Sequence, residues 1–170
     1  GKGVRQFAGL GSYAEKMLLH ENAVVKIEKD MPLQQAALIG CGVTTGVGAA
    51  LKTANVQAGS TVVVFGAGGV GLSAIQGARI AGARTIIAVD RIEHKLATAR
   101  ELGATHSVDA STEDAVQKVQ ELTGGGADYA FECVGLKVLA EQCWAAIRPG
   151  GTATVVGMIP QGEMVEIPGP

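Results

Sequence analysis

The sequence predicts an α/β fold in which helices cover both faces of a doubly wound parallel sheet. From residue 59 onward, apolar runs of strand length alternate with segments of helical character. The first two runs, at 61–65 and 85–89, are continuously apolar rather than alternating in polarity. Strands have this composition when both of their faces are buried between helical layers. Strand–helix alternation at this spacing is typical of a doubly wound sheet.

The predicted elements follow one another along the whole chain. Two short strands at 12–19 and 23–27 are joined by a turn at Glu21-Asn22, and a helix over 33–53 bends at Gly40–Gly42. Further strands are predicted at 61–65, 85–89, 106–108, 128–132 and 152–156, and further helices at 69–81, 92–102, 112–122 and 136–147. Ser111 is the expected cap of the helix at 112–122. The expected parts are an opening β fragment (1–30), a connecting helical segment (31–58) and the sheet domain (59–170).

The composition excludes several classes of protein. Apolar residues make up 47% of the 170 residues and charged residues 18%, which indicates a folded chain rather than a disordered one. A net charge of −2 gives no electrostatic reason to bind nucleic acid or an anionic membrane. No apolar stretch is expected to approach the ~20 residues of a membrane span. Three cysteines without C-x-x-C spacing predict free thiols and a reducing compartment, the cytoplasm.

The strongest chemical motif is VVVFGAGGVGLSAIQ, in which Gly66, Gly68 and Gly71 form G-x-G-x-x-G. The motif follows an apolar strand and opens a helix, as a dinucleotide-binding fingerprint requires. Gly66 permits the tight turn, Gly68 lets the backbone approach a pyrophosphate, and Gly71 allows close packing of helix on sheet. The phosphates are expected at the amide-rich N-terminus of the helix that begins near Gly69. The alternative, a glycine-rich turn that binds nothing, is disfavoured by this context.

The acid that the fingerprint requires is Asp90, at the end of the next predicted strand. Its carboxylate is expected to accept hydrogen bonds from the adenosine ribose and to repel a 2′-phosphate, so that NAD is favoured over NADP. Arg91 complicates this choice, because an arginine beside the acid can accommodate a phosphate. A solvated position for Arg91 is the alternative. The sequence therefore predicts a Rossmann-type NAD site.

A second pattern, LIGCGVTTGVGAA at 38–50, holds a single cysteine, Cys41, between Gly40 and Gly42. A buried cysteine normally acts as a small hydrophobe, which does not need a glycine on each side. Flanking glycines suggest that something comes close to the backbone there. A structural thiol in a helix kink is the alternative.

At this point the sequence resembles the zinc-dependent medium-chain alcohol dehydrogenases over nearly all of its length. FAGLGSYAEKMLLHENAVVKI resembles the last part of that family's catalytic domain, and the segment from PLQQAALIGCGV to GLSAIQGARIAGA resembles the entry into its cofactor domain. ELGATHSVDA, DYAFECVG and RPGGTATVVGM continue the likeness. The Gly-Cys-Gly stretch is the specific part, because other Rossmann proteins do not share it.

The resemblance implies roles for particular residues. Cys41 matches the third protein ligand of the catalytic zinc, and Thr45 matches the residue that packs against the nicotinamide ring. Val70 matches a residue lining the cofactor, and Lys95 a lysine that contacts the adenosine ribose, with a solvated helix lysine as its alternative. Three more positions match residues that border the cofactor, with plain core packing as the alternative: Val134, Val156 and Met158.

The resemblance also implies the reaction. An NAD-dependent oxidoreductase of this family passes hydride between an alcohol and the nicotinamide, or back to an aldehyde or ketone, with zinc as Lewis acid on the substrate oxygen. The implied partners are the dinucleotide and a small alcohol or aldehyde. The family's other zinc ligands lie upstream of the segment seen here, so the chain is expected to be the middle of such an enzyme, inactive alone and without retained zinc. A non-catalytic dinucleotide-binding module and the zinc-free reductase branch stay open, although Cys41 argues against the second.

The last predicted strand leads to an expectation about assembly. In the order 3-2-1-4-5-6, the strand at 152–156 is the fifth, and the sixth is expected to be missing. TATVV carries no charge and no proline. An unprotected edge of that kind pairs readily with another chain, so a homodimer or other self-association through this edge is predicted. The tail from residue 161 onward, folded back as a cover, is the alternative.

Overall fold

The computed structural model describes residue 12 and residues 14–169. The chain divides into two units, Gly1–Leu33 and Gln34–Pro170. Within the described part of the first unit there is one 3-10 turn, Glu21–Ala23, and no strand. The two strands predicted at 12–19 and 23–27 are therefore wrong for these residues; Tyr13 lies outside the described part. A strand needs a neighbour to receive its backbone hydrogen bonds, and the described part of this unit offers none.

The second unit is built on five parallel strands. They are β1 (Thr61–Phe65), β2 (Thr85–Asp90), β3 (His106–Asp109), β4 (Ala127–Glu132) and β5 (Ile147–Val155), in the order β3-β2-β1-β4-β5. Phe65 at the end of β1 is level with Val89 of β2 and with Glu132 of β4. The predicted doubly wound α/β sheet is confirmed, with β5 at one edge. The carboxyl ends of β1, β2 and β4 thus meet at one edge of the sheet, where ligands bind in folds of this kind.

In residues 14–169, six α-helices accompany the strands. They are α1 (Leu33–Leu38), α2 (Thr44–Gly48), α3 (Gly69–Ile80), α4 (Glu93–Leu102), α5 (Ala115–Thr123) and α6 (Lys137–Ala145). π-Helical turns at Ile39–Val43 and Ala49–Thr53 join α1 and α2 into one helical stretch and extend it. The irregularity expected at Gly40–Gly42 therefore takes the form of a π-helical turn.

Alternate residues of β1 face opposite layers of the core. Val62 and Val64 pack with Ala74 and Ile75 of α3 on one face. Val63 and Phe65 belong to a second cluster, which includes Val119 of α5 and Cys143 of α6. Successive strand side chains point to opposite faces, so a strand covered on both sides must be apolar throughout. This is why β1 and β2 were recognisable as continuous apolar runs.

Two predicted element ends are wrong. Asp114, not Ser111, caps α5: the Asp114 carboxyl accepts a hydrogen bond from the Gln117 amide at 3.0 Å. Ser111 instead donates both its amide and its hydroxyl to the Asp109 carboxyl. Strand β5 begins at Ile147, five residues before the predicted start, with an irregular register opposite Ala127 and Tyr129.

The helical stretch Leu33–Thr53 also corrects an expectation. It has 21 residues, and an 18-residue window within it has a mean hydropathy of 1.3, so it is long and apolar enough by composition to cross a membrane. The expectation that no stretch approaches this length is wrong. One such helix says little about a membrane, because the core helix of a soluble protein has the same character. Here its second half packs closely on α3: a side chain on Gly77 would lie 2.9 Å from the Ala50 Cβ.

Candidate functional site

The glycine turn joins β1 to α3 at the carboxyl edge of the sheet. Gly66 has a φ of +93°, a conformation that L side chains rarely adopt. A side chain on Gly71 would collide with the Gly66 carbonyl oxygen, so only glycine lets α3 begin this close to β1. Added Cβ atoms on Gly68 and Gly69 would meet nothing within 4 Å. The first and third glycines of the motif thus serve the turn and the packing, whereas the backbone at Gly68 and Gly69 faces open space.

The N-terminus of α3 points its backbone amides into this space. The first helical hydrogen bond runs from the Leu72 amide to the Gly68 carbonyl at 2.8 Å, and no side chain caps the helix. The amides of Gly69, Val70 and Gly71 therefore precede the helical ladder, as the first N–H groups of every helix do. Together with the positive end of the helix dipole they form a place where an anion can bind.

Asp90 ends β2 beside the same turn. Its Oδ2 accepts a hydrogen bond from the Ala67 amide at 2.8 Å, and its Oδ1 accepts from the amides of Arg91 and Ile92 at 2.8 and 3.1 Å. The Lys95 ammonium lies 4.0 Å from Oδ2. The Asp90 carboxyl is thus held in place by backbone amides of the glycine turn after β1 and of the residues that directly follow β2.

A cleft of about 400 Å³ opens next to this carboxyl. Five of the predicted cofactor-binding residues line it: Gly66, Asp90, Arg91, Lys95 and Val134. Leu136, Val138 and Leu139 add apolar surface on the side of α6. The cleft therefore combines charged and apolar lining residues, as a ribose joined to a flat base would require.

A second cleft, of about 360 Å³, brings Thr45 and Val156 together. Thr45 comes from α2, and Val156 follows β5 and also packs against the core. Helix α2 reaches the glycine turn as well, because a side chain on Gly46 would collide with the Val70 carbonyl. Thr45, predicted to pack against the nicotinamide, and Val156, predicted to border the cofactor, therefore lie on neighbouring elements, although they are far apart in sequence.

Two predicted residues stand apart from these clefts. The Met158 side chain is 91% exposed, and only its backbone lies close to Gly135. Cys41 is an exposed free thiol in the π-helical turn. Among residues 12 and 14–169, no three His, Cys, Asp or Glu side chains group as a metal site. The described residues thus offer one candidate zinc ligand and do not fit a complete zinc centre, which needs about three protein ligands.

Sequence reasoning missed Glu132, which is completely buried at the end of β4. Its Oε1 accepts hydrogen bonds from the Val134 and Gly135 amides at 2.8 and 2.7 Å, while Oε2 has no partner among the described residues. Burial and the nearby Glu132 carboxyl raise the pKa of the Cys133 thiol to about 12. A Glu that directly follows the apolar residues Ala130 and Phe131 at the end of a predicted strand was the available signal, because charged side chains are rarely buried without a reason.

This combination of a parallel sheet, a glycine turn and an acid one strand later defines a dinucleotide-binding domain of the dehydrogenase type. Residues 69–169 match the family model described as zinc-binding dehydrogenase. The chain therefore belongs to the zinc-binding dehydrogenase family and corresponds to its cofactor-binding portion.

The chain is similar in sequence and fold to proteins named as dehydrogenases. The S-(hydroxymethyl)glutathione dehydrogenase of Saccharomyces cerevisiae is 42% identical over 97% of this chain, which spans 44% of that relative's length. A solved alcohol dehydrogenase zinc-binding domain protein of Burkholderia ambifaria is 45% identical, with a TM-score of 0.82 over 85% of this chain and 39% of its own. A protein of Sinorhizobium meliloti 1021 assigned to the zinc-binding dehydrogenases and solved bound to NADP is 37% identical, with a TM-score of 0.72 over 75% of this chain and 38% of its own.

Proposed function

We propose that this chain binds NAD across the carboxyl edge of its sheet, as the cofactor-binding part of a zinc-dependent alcohol dehydrogenase. The observation that carries the proposal is the position of Asp90 beside the open backbone of Gly68. In this placement the pyrophosphate lies on the amides that open α3, and the adenosine lies in the cleft next to Asp90. The nicotinamide then extends toward Thr45 and Val156.

The preference for NAD over NADP rests on charge. A 2′-phosphate would come close to the Asp90 carboxyl, and like charges at short range repel. Arg91 and Lys95 line the same cleft and attract a phosphate, which is the opposing effect. The relative from Sinorhizobium meliloti was solved bound to NADP, so attraction of a 2′-phosphate has to be weighed against its repulsion by Asp90. Isothermal titration of the chain with NAD and with NADP tests the proposal, and equal or tighter binding of NADP would overturn the preference.

For the whole protein we propose the reaction of the family, oxidation of an alcohol or reduction of an aldehyde or ketone. When bound, the nicotinamide supplies or receives the hydride. This chain holds the dinucleotide and orients its ring, and Cys41 is proposed as one ligand of the zinc. Purified alone, the chain should contain well below one zinc per molecule after dialysis and should not oxidise ethanol or benzyl alcohol with NAD. Stoichiometric zinc together with turnover would mean that ligands come from a second chain.

A non-catalytic dinucleotide-binding module is the second candidate. The observation in its favour is that the described residues hold no group of three potential metal ligands. NAD binding without dehydrogenase activity in the longest natural form of the protein would support it, and dehydrogenase activity would exclude it. A metal analysis of that form separates the zinc enzyme from the zinc-free reductase branch.

We further propose a cytoplasmic location and self-association through β5. The location is supported by three cysteines that are all free thiols in the structure. The association is supported by the place of β5 at the edge of the described sheet. In the described part of the tail, the Glu166 amide donates to the Glu141 carboxyl on α6, and no strand pairs with the outer side of β5.

A further inference from the structure

We infer that the buried carboxyl of Glu132 is a positioning group for the dinucleotide: it holds the loop Cys133–Gly135 in the shape that closes the cleft beside Asp90. The inference rests on the proposed function, because it assigns to Glu132 a part in building that same site. Glu132 lies outside the fingerprint motif and does not line the cleft itself.

Glu132 connects three pieces of backbone at the carboxyl edge of the sheet. Its Oε1 accepts from the amides of Val134 and Gly135, at 2.8 and 2.7 Å. Its carbonyl oxygen accepts from the amides of Val156 and Gly157, at 2.8 and 3.1 Å. The next amide, that of Cys133, donates to the Phe65 carbonyl at 2.9 Å, directly before the glycine turn. Glu132 therefore joins the loops after β4 and β5, and the adjacent Cys133 amide ties them to the end of β1.

The loop that Glu132 holds forms part of the cofactor cleft. Val134, half-exposed, lines the cleft, and its Cγ2 lies against Gly66 so closely that Gly66 could not carry a side chain. Val156, on the other loop, lines the cleft that holds Thr45. Glu132 thus acts on the first cleft through its side chain and on the second through its backbone carbonyl, rather than by touching a ligand.

The second carboxyl oxygen indicates that this arrangement does not serve stability alone. Oε2 is buried and finds no hydrogen-bond partner in the described part of the chain, and a side chain on Gly157 would lie 2.5 Å from it. A buried acceptor without a partner lowers stability, and an apolar side chain of similar size would fill the space without that cost. Residues whose environment lowers stability are commonly found at functional sites. The hydrogen bonds from Oε1 to the cleft loop are what an apolar side chain could not provide.

The test measures NAD and AMP affinities of the 170-residue chain and three variants by isothermal titration, with folding followed by circular dichroism. Glu132→Met keeps the volume but removes the acceptor for the Val134 and Gly135 amides, and we expect NAD and AMP to bind about tenfold more weakly. Glu132→Gln keeps an acceptor oxygen, so its affinities should stay within about threefold of the parent chain. Val119→Ala removes buried volume on α5, away from both clefts, and should lower the melting temperature without changing affinity.

The outcomes separate the inference from the proposed function. If the parent chain binds neither NAD nor AMP, the proposed function fails. If it binds them and Glu132→Met binds equally well while folded, only the inference about Glu132 is overturned. If Glu132→Met does not fold, Gly157→Ala disturbs the same contact from the other loop, and a folded Gly157→Ala chain with at least about tenfold weaker NAD binding supports the inference. Unchanged NAD binding in Gly157→Ala, or loss of folding in both variants, overturns it.

Discussion

The Oδ2 atom of Asp90 lies 2.8 Å from the backbone nitrogen of Ala67, 23 residues earlier in the chain. Asp90 ends β2, and Ala67 lies in the middle of the glycine turn that follows β1. Three backbone amides donate to this carboxyl, and two carboxylate oxygens offer about four acceptor sites. One site therefore remains for a donor such as a ribose hydroxyl. The same carboxyl fixes the turn and presents an acceptor to the cleft.

Replacing Asp90 should change the choice between cofactors. In Asp90→Ala the NAD affinity should fall by about tenfold or more, because a charge-assisted hydrogen bond is lost. The affinity for NADP should fall less, because repulsion of the 2′-phosphate is lost at the same time. Titration calorimetry with both cofactors measures whether the difference between the NAD and NADP affinities becomes smaller in the variant.

Asp128→Ala is the matched control for this change. Asp128 also accepts a hydrogen bond from a backbone amide, that of Thr61 at 2.8 Å, but it is the second residue of β4 and lies near the amino ends of the strands. Its removal should lower stability and leave both affinities unchanged. A preference for NAD that persists undiminished in Asp90→Ala would contradict the role given to Asp90.

Two glycines of the motif should respond differently to alanine. Gly71→Ala places a methyl group against the backbone of Gly66, and should destabilise the chain by about 1–3 kcal/mol. For a chain of this size that corresponds to a fall in melting temperature of about 2–4 °C per kcal/mol. Gly68→Ala meets no atom within 4 Å and has an ordinary φ of −84°, so it should fold normally. Its methyl group occupies the space expected for the pyrophosphate, and NAD binding should weaken by about tenfold.

Gly169→Ala serves as the control for Gly68→Ala, since its added Cβ is equally unhindered but lies in the tail after β5 and lines neither cleft. It should retain full affinity. Normal NAD binding by Gly68→Ala would mean that the dinucleotide does not approach the turn.

Stability should depend on pH through Asp128. The Thr61 amide, followed by the Arg148 guanidinium at 2.6 Å, lowers the pKa of Asp128 below its ordinary value. A carboxyl with a lowered folded pKa stabilises the chain above its unfolded pKa of about 3.9, and this contribution is lost as the pH falls through the folded pKa. The stability advantage of the parent chain over Asp128→Asn, measured by urea unfolding, should be constant from pH 7 to about 5 and shrink below about pH 4. A stability difference between the parent chain and Asp128→Asn that grows as the pH falls would contradict a lowered pKa for Asp128.

The three thiols should differ in reactivity. Cys41 is exposed, whereas burial raises the pKa of both Cys133 and Cys143 to about 12. Because the thiolate is the reactive form, a chromogenic disulfide reagent at neutral pH should label one thiol per chain quickly and two slowly. Cys41→Ser should remove the fast phase, while Cys143→Ser should leave it intact. Fast labelling that survives in Cys41→Ser would show that the loop after β4 opens readily.

Self-association through β5 is the remaining prediction. The Val156 amide donates to Glu132 of β4, so alternation along the ladder directs the Val155 amide toward the open edge. Val155→Pro removes that donor, and Thr154→Lys adds a charge to the edge. Sedimentation at rising concentration should show association of the parent chain and a monomer for both variants. Thr112→Lys, an exposed substitution outside the sheet, should associate like the parent. A parent chain that stays monomeric at high concentration would show that the edge is covered.

The candidate site was largely predictable where its chemistry is local. The glycine spacing requires a particular turn, and the apolar runs of β1 and β2 require burial on both faces, so the motif and its strands could be located from neighbouring residues alone. The positions of Thr45 and Val156 came from resemblance to a family, because no short-range pattern marks a residue that borders a cleft. The structure places them in one cleft, while their contact with a cofactor stays a prediction.

Errors occurred where a choice depended on residues distant in sequence or on competition among near neighbours. Serine and aspartate are both good helix caps. Asp114 caps α5 because Ser111 is already bonded to the Asp109 carboxyl. The segments at 12–19 and 23–27 have strand-like composition, but among the described residues they find no strand to pair with.

The sequence by itself determined the parallel α/β sheet, the glycine turn and the acid that follows it, because each depends on local steric and burial requirements. Only the tertiary structure decided that Asp90 holds the Ala67 amide, and that a buried glutamate connects the loops after β4 and β5. Those relationships join backbone groups from different strands. Their partners become neighbours only once the sheet has formed, so no periodicity or spacing along the chain records them.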